Sequence, residues 1–379
     1  MKKWIAGTLF LALIAGCSES NSEEDARLAR FKSALPSTEA LSAPTGTQDA
    51  STRAVGDVAL FPASSVDIVQ GINGTVAWVV TVLDFVTNFE PTFYNSETRE
   101  YVWGPFENDD GVGFVSVYIK ENDPGSEFQY TYGFVRGATR DLANTAVVIA
   151  GGGTPLDPEN DDPNTVDDNE FGQGVLFVDF DADLAFDLEN DPTTDVGERD
   201  RGKFVAVFGK NADEEDPDAT LSSVVAAFRN FVPAGETAEP TDLDYLYGVY
   251  ETDEWKADFL NYRLGIEIDE NTSAREDTEV QLAFVNDGIG RAEVLATGGS
   301  LGAGESITAI ECWGEDFDRT YLDIQTNVDG GYTYIEGSEA GCFAPFNQPL
   351  GNLDIPSLAD IAEEDFAEIA NIAENGLVD

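Results

Sequence analysis

Carboxylates dominate the groups in this chain that can do chemistry, and imidazole is missing: 73 Asp and Glu stand against 20 Lys and Arg, with no His. Without histidine there is no Ser-His-Asp or Cys-His nucleophile, no imidazole base and no histidine metal ligand. Two carboxylate chemistries stay open. Hard oxygen ligands suit Ca²⁺, and Asp157, Glu159, Asp161, Asp162, Asp167 and Asp168 crowd one loop, which makes that loop the calcium candidate. Its spacing is not that of an EF-hand, because the turn Gly and the closing Glu are out of place. Asp179, Asp181 and Asp183 alternate along an apolar run and read as the solvated face of a strand. Paired acids also hydrolyse glycosides, but such a pair is recognised in space, at a separation of about 5 to 10 Å, and none stands out among so many. No G-x-G-x-x-G turn, P-loop or nucleophile elbow occurs. No catalytic residue is assigned, and the reading leans away from an enzyme.

Aromatic side chains offer a second kind of chemistry. Phe128, Tyr130, Tyr132 and Phe134 alternate, so a strand would place all four on one face. They either line a groove for a lipid or sugar or pack into a core, and core packing is the favoured reading.

The amino terminus carries the most specific pattern. Lys2 and Lys3 precede an apolar run of 12 residues, Trp4 to Ala15, followed by Gly16 and Cys17. That order is a secretory signal, and the run is short of the roughly 20 residues a spanning helix needs. Ile14-Ala15-Gly16-Cys17 resembles the lipobox of type II signal peptides. The resemblance implies removal of residues 1–16, diacylglyceryl and fatty acyl (palmitate-type) groups on Cys17, and membrane anchoring through that lipid. Ser18 after the cysteine is similar to the outer-membrane sorting signal of enteric lipoproteins. Residues 17–56 hold the single aromatic Phe31 amid Ser, Thr, Glu, Ala and Pro, and read as a flexible tether. The patch Ala26 to Lys32 offers a brief basic amphipathic turn at the lipid surface as an alternative, with plain tether the favoured reading. With Cys17 lipidated, Cys312 and Cys342 remain as an even pair in an oxidising compartment, and a disulfide follows. Two cysteines without histidine do not make a zinc site.

Charge limits the partners. Loss of Lys2 and Lys3 with the signal takes the net charge from −53 to −55. Such a surface repels nucleic acid, so none is expected as a partner, and it repels anionic membranes as well. A protein, glycan or lipid ligand stays open.

These residues must be positioned by the body, residues 57–379. Period-two runs separated by Asn, Asp, Gly and Pro predict antiparallel strands at 112–119, 128–134, 145–150, 175–184, 204–208, 224–231, 280–285, 307–313, 320–326 and 332–335. Ser65 to Phe89 carries Ile68, Ile72, Val76, Val79, Leu83 and Val86 at helical spacing behind a Ser cap. Pro356 to Glu374 predicts a C-terminal helix with Leu358, Ile361, Phe366, Ile369 and Ile372 on one face. The fold class is therefore mainly β: a large curved antiparallel sheet or half-barrel with one packed helix and a terminal helix, and a possible domain seam near 232–242. Tyr101-Val-Trp-Gly-Pro-Phe106 and Phe177-Val-Asp-Phe-Asp-Ala-Asp183 look similar to uncharacterised lipoproteins of Gram-negative bacteria, a resemblance that implies location and shape. Two functions fit: an exported, membrane-tethered binding or structural module, or a periplasmic carrier or carboxylate-based hydrolase using a sheet cavity. The space between helix and sheet discriminates them.

Overall fold

A computed structural model of the chain describes residues 22–44 and 59–361, apart from short stretches at 109–110, 127, 143, 156–172, 213–219, 238, 253, 267–272, 286–287 and 316. The signal sequence, Cys17, the candidate calcium loop and the C-terminal helix beyond residue 361 lie outside the described residues.

Among the described residues, fifteen antiparallel strands form one unclosed sheet in which every strand pairs with its neighbours in sequence. They are β1 (Phe93–Asn95), β2 (Glu100–Glu107), β3 (Phe114–Glu121), β4 (Tyr130–Gly137), β5 (Thr145–Thr154), β6 (Gln173–Asp179), β7 (Arg201–Ala212) and β8 (Thr220–Val232), then β9 (Thr241–Glu251), β10 (Lys256–Ile266), β11 (Glu276–Val285), β12 (Gly290–Thr297), β13 (Ser306–Trp313), β14 (Arg319–Thr326) and β15 (Tyr332–Gly337). The alternation in the sequence explains the curvature. One set of alternate residues, such as Leu176 and Val178 in β6 or Phe204 and Ala206 in β7, joins a single apolar cluster running from β2 to β13. Sheet strands separated by ten neighbours reach one cluster only if the sheet wraps around it.

The helix α3 (Leu60–Thr87) fills that concavity, after the shorter α1 (Ser22–Lys32) and α2 (Thr38–Leu41). Ile72, Val76, Val79, Leu83 and Val86 are buried at the predicted spacing, and Ile68 is partly buried against them. By length and composition α3 could cross a bilayer, but its inner face is packed into the sheet. Its β-branched residues are poor helix formers, so tertiary packing holds it. The start is five residues earlier than predicted, at Leu60 rather than Ser65, and Ala59 offers no side-chain cap. The carboxylate of Glu311 on β13 substitutes, accepting from Leu60 N at 2.8 Å and Phe61 N at 2.9 Å. At the other end, Trp103 of β2 donates its indole N–H to Phe89 O at 3.0 Å. The helix thus spans the concave face from one side of the sheet to the other.

Three expectations are corrected. The tether is shorter than 17–56, because α1 and α2 dock on the sheet. Phe31 is only 1 % exposed, its ring 4.9 Å from those of Tyr101 and Tyr130, and Tyr247 donates to Leu41 O at 2.6 Å. The seam at 232–242 is a hairpin connection, since β8 and β9 pair from Thr220↔Glu251 to Phe231↔Thr241. Finally, the run 175–184 changes from strand to helix at α4 (Phe180–Asn190). Asp179 accepts from Ala182 N at 2.8 Å as an N-cap, and Asp181 and Asp183 lie in the first turn, where the helix dipole favours them.

The convex side is covered over β9 to β12 by the chain after Cys342. Phe346, Leu350, Leu353, Ile355 and Leu358 pack there on Leu246, Phe259 and Ala283. The Cys312–Cys342 disulfide, with Cα atoms 5.4 Å apart, pins the start of this strap. Among its residues Ser357 and Asp360 form a capping box around a short turn at Leu358–Asp360.

Candidate functional site

The inner face of α3 packs into the apolar cluster of the sheet, and a large opening lies beside it. A cleft of about 760 Å³ is bounded by the outer shoulder of α3, by α4 and by the ends of β8 and β9. Its floor is aromatic. Trp78 and Phe180 have ring centroids 6.1 Å apart, Phe180 and Phe231 5.8 Å, and Phe231 and Phe228 4.6 Å. Tyr245 closes the row edge-on to Phe228 at 6.0 Å, and burial pushes its hydroxyl pKa up, so it stays neutral.

Local sequence sets each wall. On α3, Gly71 and Gly74 replace side chains with space: a Cβ added at either would meet nothing within 4 Å. Two glycines in a helix interior cost roughly 1 kcal/mol each relative to Ala, a cost the packing does not require. On α4, Phe180 and Leu184 face the cleft, and the helix is pinned from below. Arg136 of β4, itself buried, pairs with Asp183 and with Asp187 at 2.7 Å and lies 4.4 Å from the Phe186 ring. Arg199 pairs with the far oxygen of Asp187 and so fixes the loop that follows α4.

The rim is acidic. Asp67, Asp183, Glu198, Asp200, Glu236 and Glu239 line the mouth, and Arg199 is the one cation among the lining residues. Asp183 is engaged by Arg136, and Asp200 accepts from Ala234 N at 2.8 Å. Among the described residues, Asp67, Glu198, Glu236 and Glu239 make no ion pair. An apolar floor of low dielectric beneath unpaired carboxylates concentrates a negative field in the mouth. Ring faces and carboxylates both attract organic cations, and the volume falls in the range of small-molecule sites, about 300 to 1,000 Å³.

The residues singled out from sequence are elsewhere. Tyr130, Tyr132 and Phe134 are in the core, with the Tyr132 hydroxyl donating to Val175 O at 3.0 Å. Tyr132 lies across Gly151, where a Cβ would sit 2.1 Å from the ring, which accounts for glycine there. Phe128 precedes β4 and packs on the convex side with Val175 and Phe177. The four do not form a groove. Asp179, Asp181 and Asp183 are each committed, to the α4 cap, to Gly202 N at 2.8 Å and to Arg136. Among the described residues no group of three Cys, Asp or Glu is placed to hold a metal ion. The cleft escaped sequence reading because its walls come from four separated segments; the paired helical glycines were its visible trace.

No protein-family model, curated protein or solved structure matches this chain.

Proposed function

We propose that the chain is an exported lipoprotein, fixed through acyl groups on Cys17 to the outer membrane, and that it binds there an organic cation with an apolar body. The observation that carries the binding reading is the cleft: an aromatic floor under four carboxylates that make no ion pair among the described residues. The lipobox-like Ile14 to Cys17 supports the anchor. Carriage of the same ligand between membranes would use the same cleft, but a chain held by lipid is suited to binding where it is tethered. A neutral glycan would stack on the rings and donate hydroxyl hydrogen bonds to the carboxylates, without a cation's charge attraction.

Two experiments test this. Labelled fatty acid should enter the wild-type chain and not the Cys17→Ser variant; equal labelling would reject the anchor. For the cleft, isothermal titration of decyltrimethylammonium below its micellar range should show binding, while decyl sulfate shows none. The quadruple variant D67N/E198Q/E236Q/E239Q should lose roughly tenfold in affinity for the cation. Equal affinity for both amphiphiles would overturn the cationic assignment.

A further inference from the structure

The outward face of α3 is unusual for so acidic a chain. Asp67, Gly71, Gly74, Trp78 and Phe85 fall within one stripe at helical spacing, Phe89 follows just past the C-cap, and between residues 68 and 83 of this helix there is no charged side chain. Phe85 is 65 % exposed, Phe89 46 % and Trp78 40 %. The Phe85 and Phe89 rings pack with centroids 5.4 Å apart, and Trp78, two turns back along the same face, lines the cleft. Exposed aromatic surface of this kind marks a docking face.

We infer that this face rests on a zwitterionic lipid surface, with Trp78, Phe85 and Phe89 entering the interface. The inference rests on lipid attachment at Cys17 for its geometry. Only residues 18–21 separate Cys17 from α1, so the start of α1 is at most about 18 Å from the anchored cysteine. The docking of α1 brings its Arg27 to the strand that also holds the end of the patch. Arg27 of α1 donates to the Tyr101 hydroxyl at 3.1 Å and stands 4.3 Å over the Tyr94 ring. Two residues along the same strand, Trp103 holds Phe89 O. One strand, β2, therefore joins the anchor-bearing helix on one side to the end of the aromatic stripe on the other. A bilayer reached by the lipid on Cys17 is within reach of Phe85 and Phe89.

Charge selects the kind of surface. At −53 the chain repels a second copy of itself and repels anionic lipid, whereas zwitterionic headgroups present a cationic group to the rings and to the acidic mouth beside them. Trp and Phe are suited to this depth, since their rings bury apolar area at the headgroup boundary.

The test uses the mature chain with Cys17→Ser, which removes the lipid and isolates the stripe, and phosphatidylcholine vesicles with and without brominated acyl chains. Trp103 and Trp313 are buried and the half-buried Trp255 packs with the convex-side cluster, so Trp78 is the exposed reporter on this face. Quenching by brominated lipid should occur, and it should vanish in Trp78→Phe. Phe85→Ser with Phe89→Ser should weaken vesicle binding roughly tenfold or more, and Thr81→Asp, at an exposed position on the same helix, should do the same without touching either ring. All three positions are exposed, so circular dichroism should report an unchanged fold. Mixing phosphatidylglycerol into the vesicles should weaken binding. Unchanged binding in both variants, or tighter binding to the anionic vesicles, would overturn the proposal. Fatty-acid labelling of the wild-type chain is read separately: failure of that label sinks the anchor, and failure of the quenching sinks the stripe.

Discussion

Replacing Glu311 with alanine should destabilise the protein by about 2 to 3 kcal/mol. The figure follows from what the carboxylate does. It is fully buried and serves as the cap of α3, one oxygen on Leu60 N and the other on Phe61 N, with Arg319 at 3.8 Å. Loss of a helix cap costs about 1 kcal/mol, and a second partly buried donor left without an acceptor adds about 1 to 2. Glutamine keeps the shape and one acceptor, so Glu311→Gln should cost roughly half as much at pH 7. Titration reads the balance between burial of this carboxyl and its cap hydrogen bonds. Burial holds the Glu311 carboxyl above its ordinary range, against the opposing pull of the two N–H groups and Arg319. A carboxyl raised in the folded state binds its proton more tightly there than in the unfolded chain, so its contribution is fully present at low pH and is lost as pH rises through the folded value. Asp258, also raised by burial, acts in the same direction in every variant. Wild type should therefore gain stability as pH falls from 7 toward about 5, and the gap to Glu311→Gln should widen. Equilibrium urea unfolding of the three proteins across that range is the assay. An alanine variant as stable as wild type would refute the cap, and a glutamine gap that is flat with pH would refute the burial-raised carboxyl.

Reduction of Cys312–Cys342, or serine at both positions, should cost about 3 kcal/mol for a loop of this length, read as a fall in the unfolding midpoint under reductant that the double-serine protein does not show. Phe31→Ala should cost about 3 kcal/mol, because the ring is buried among Tyr94, Tyr101 and Tyr130; a loss under about 0.5 kcal/mol would mean that α1 is not docked. Thermal stability should rise as monovalent salt goes from low to moderate concentration, equally for sodium and potassium, since screening relieves repulsion among the excess carboxylates. Indifference to salt would remove self-repulsion from the account.

The mainly β curved sheet with a packed helix was legible because period two and period 3.6 each persist over long runs, in β6 to β8 and in α3. What was lost depended on distance. The start of α3 is set by Glu311, some 250 residues away, so no local cap marked it. Phe177 to Asp183 carries an alternation that fits a strand, and only the Asp179 cap and the burial of Phe180 and Leu184 turn its second half into α4. Residues 22–44 looked too poor in aromatics to fold, yet Phe31 and Leu41 are fully buried, and two well-placed side chains suffice when the partner surface is preformed. Strands β9, β10 and β12 were missed as runs, because Asp, Asn, Arg and Glu occur within them, on a sheet with a wet side. The cleft is an assembly of α3, α4, β8 and β9, and no stretch of sequence contains it. Gly71 and Gly74 came nearest to announcing it, as two helix breakers within a helix that nonetheless forms.

Those two glycines also supply the most direct test of ligand binding in the cleft. A Cβ at either position meets nothing within 4 Å, so with leucine at both the fold should hold, with stability unchanged or higher by up to about 1 kcal/mol per site from helix propensity. The same side chains would fill the room above the aromatic floor. Calorimetric titration of Gly71→Leu/Gly74→Leu with decyltrimethylammonium should show affinity reduced at least roughly tenfold at undiminished thermal stability. Binding as tight as in the parent would contradict the assignment of this cleft as the ligand site.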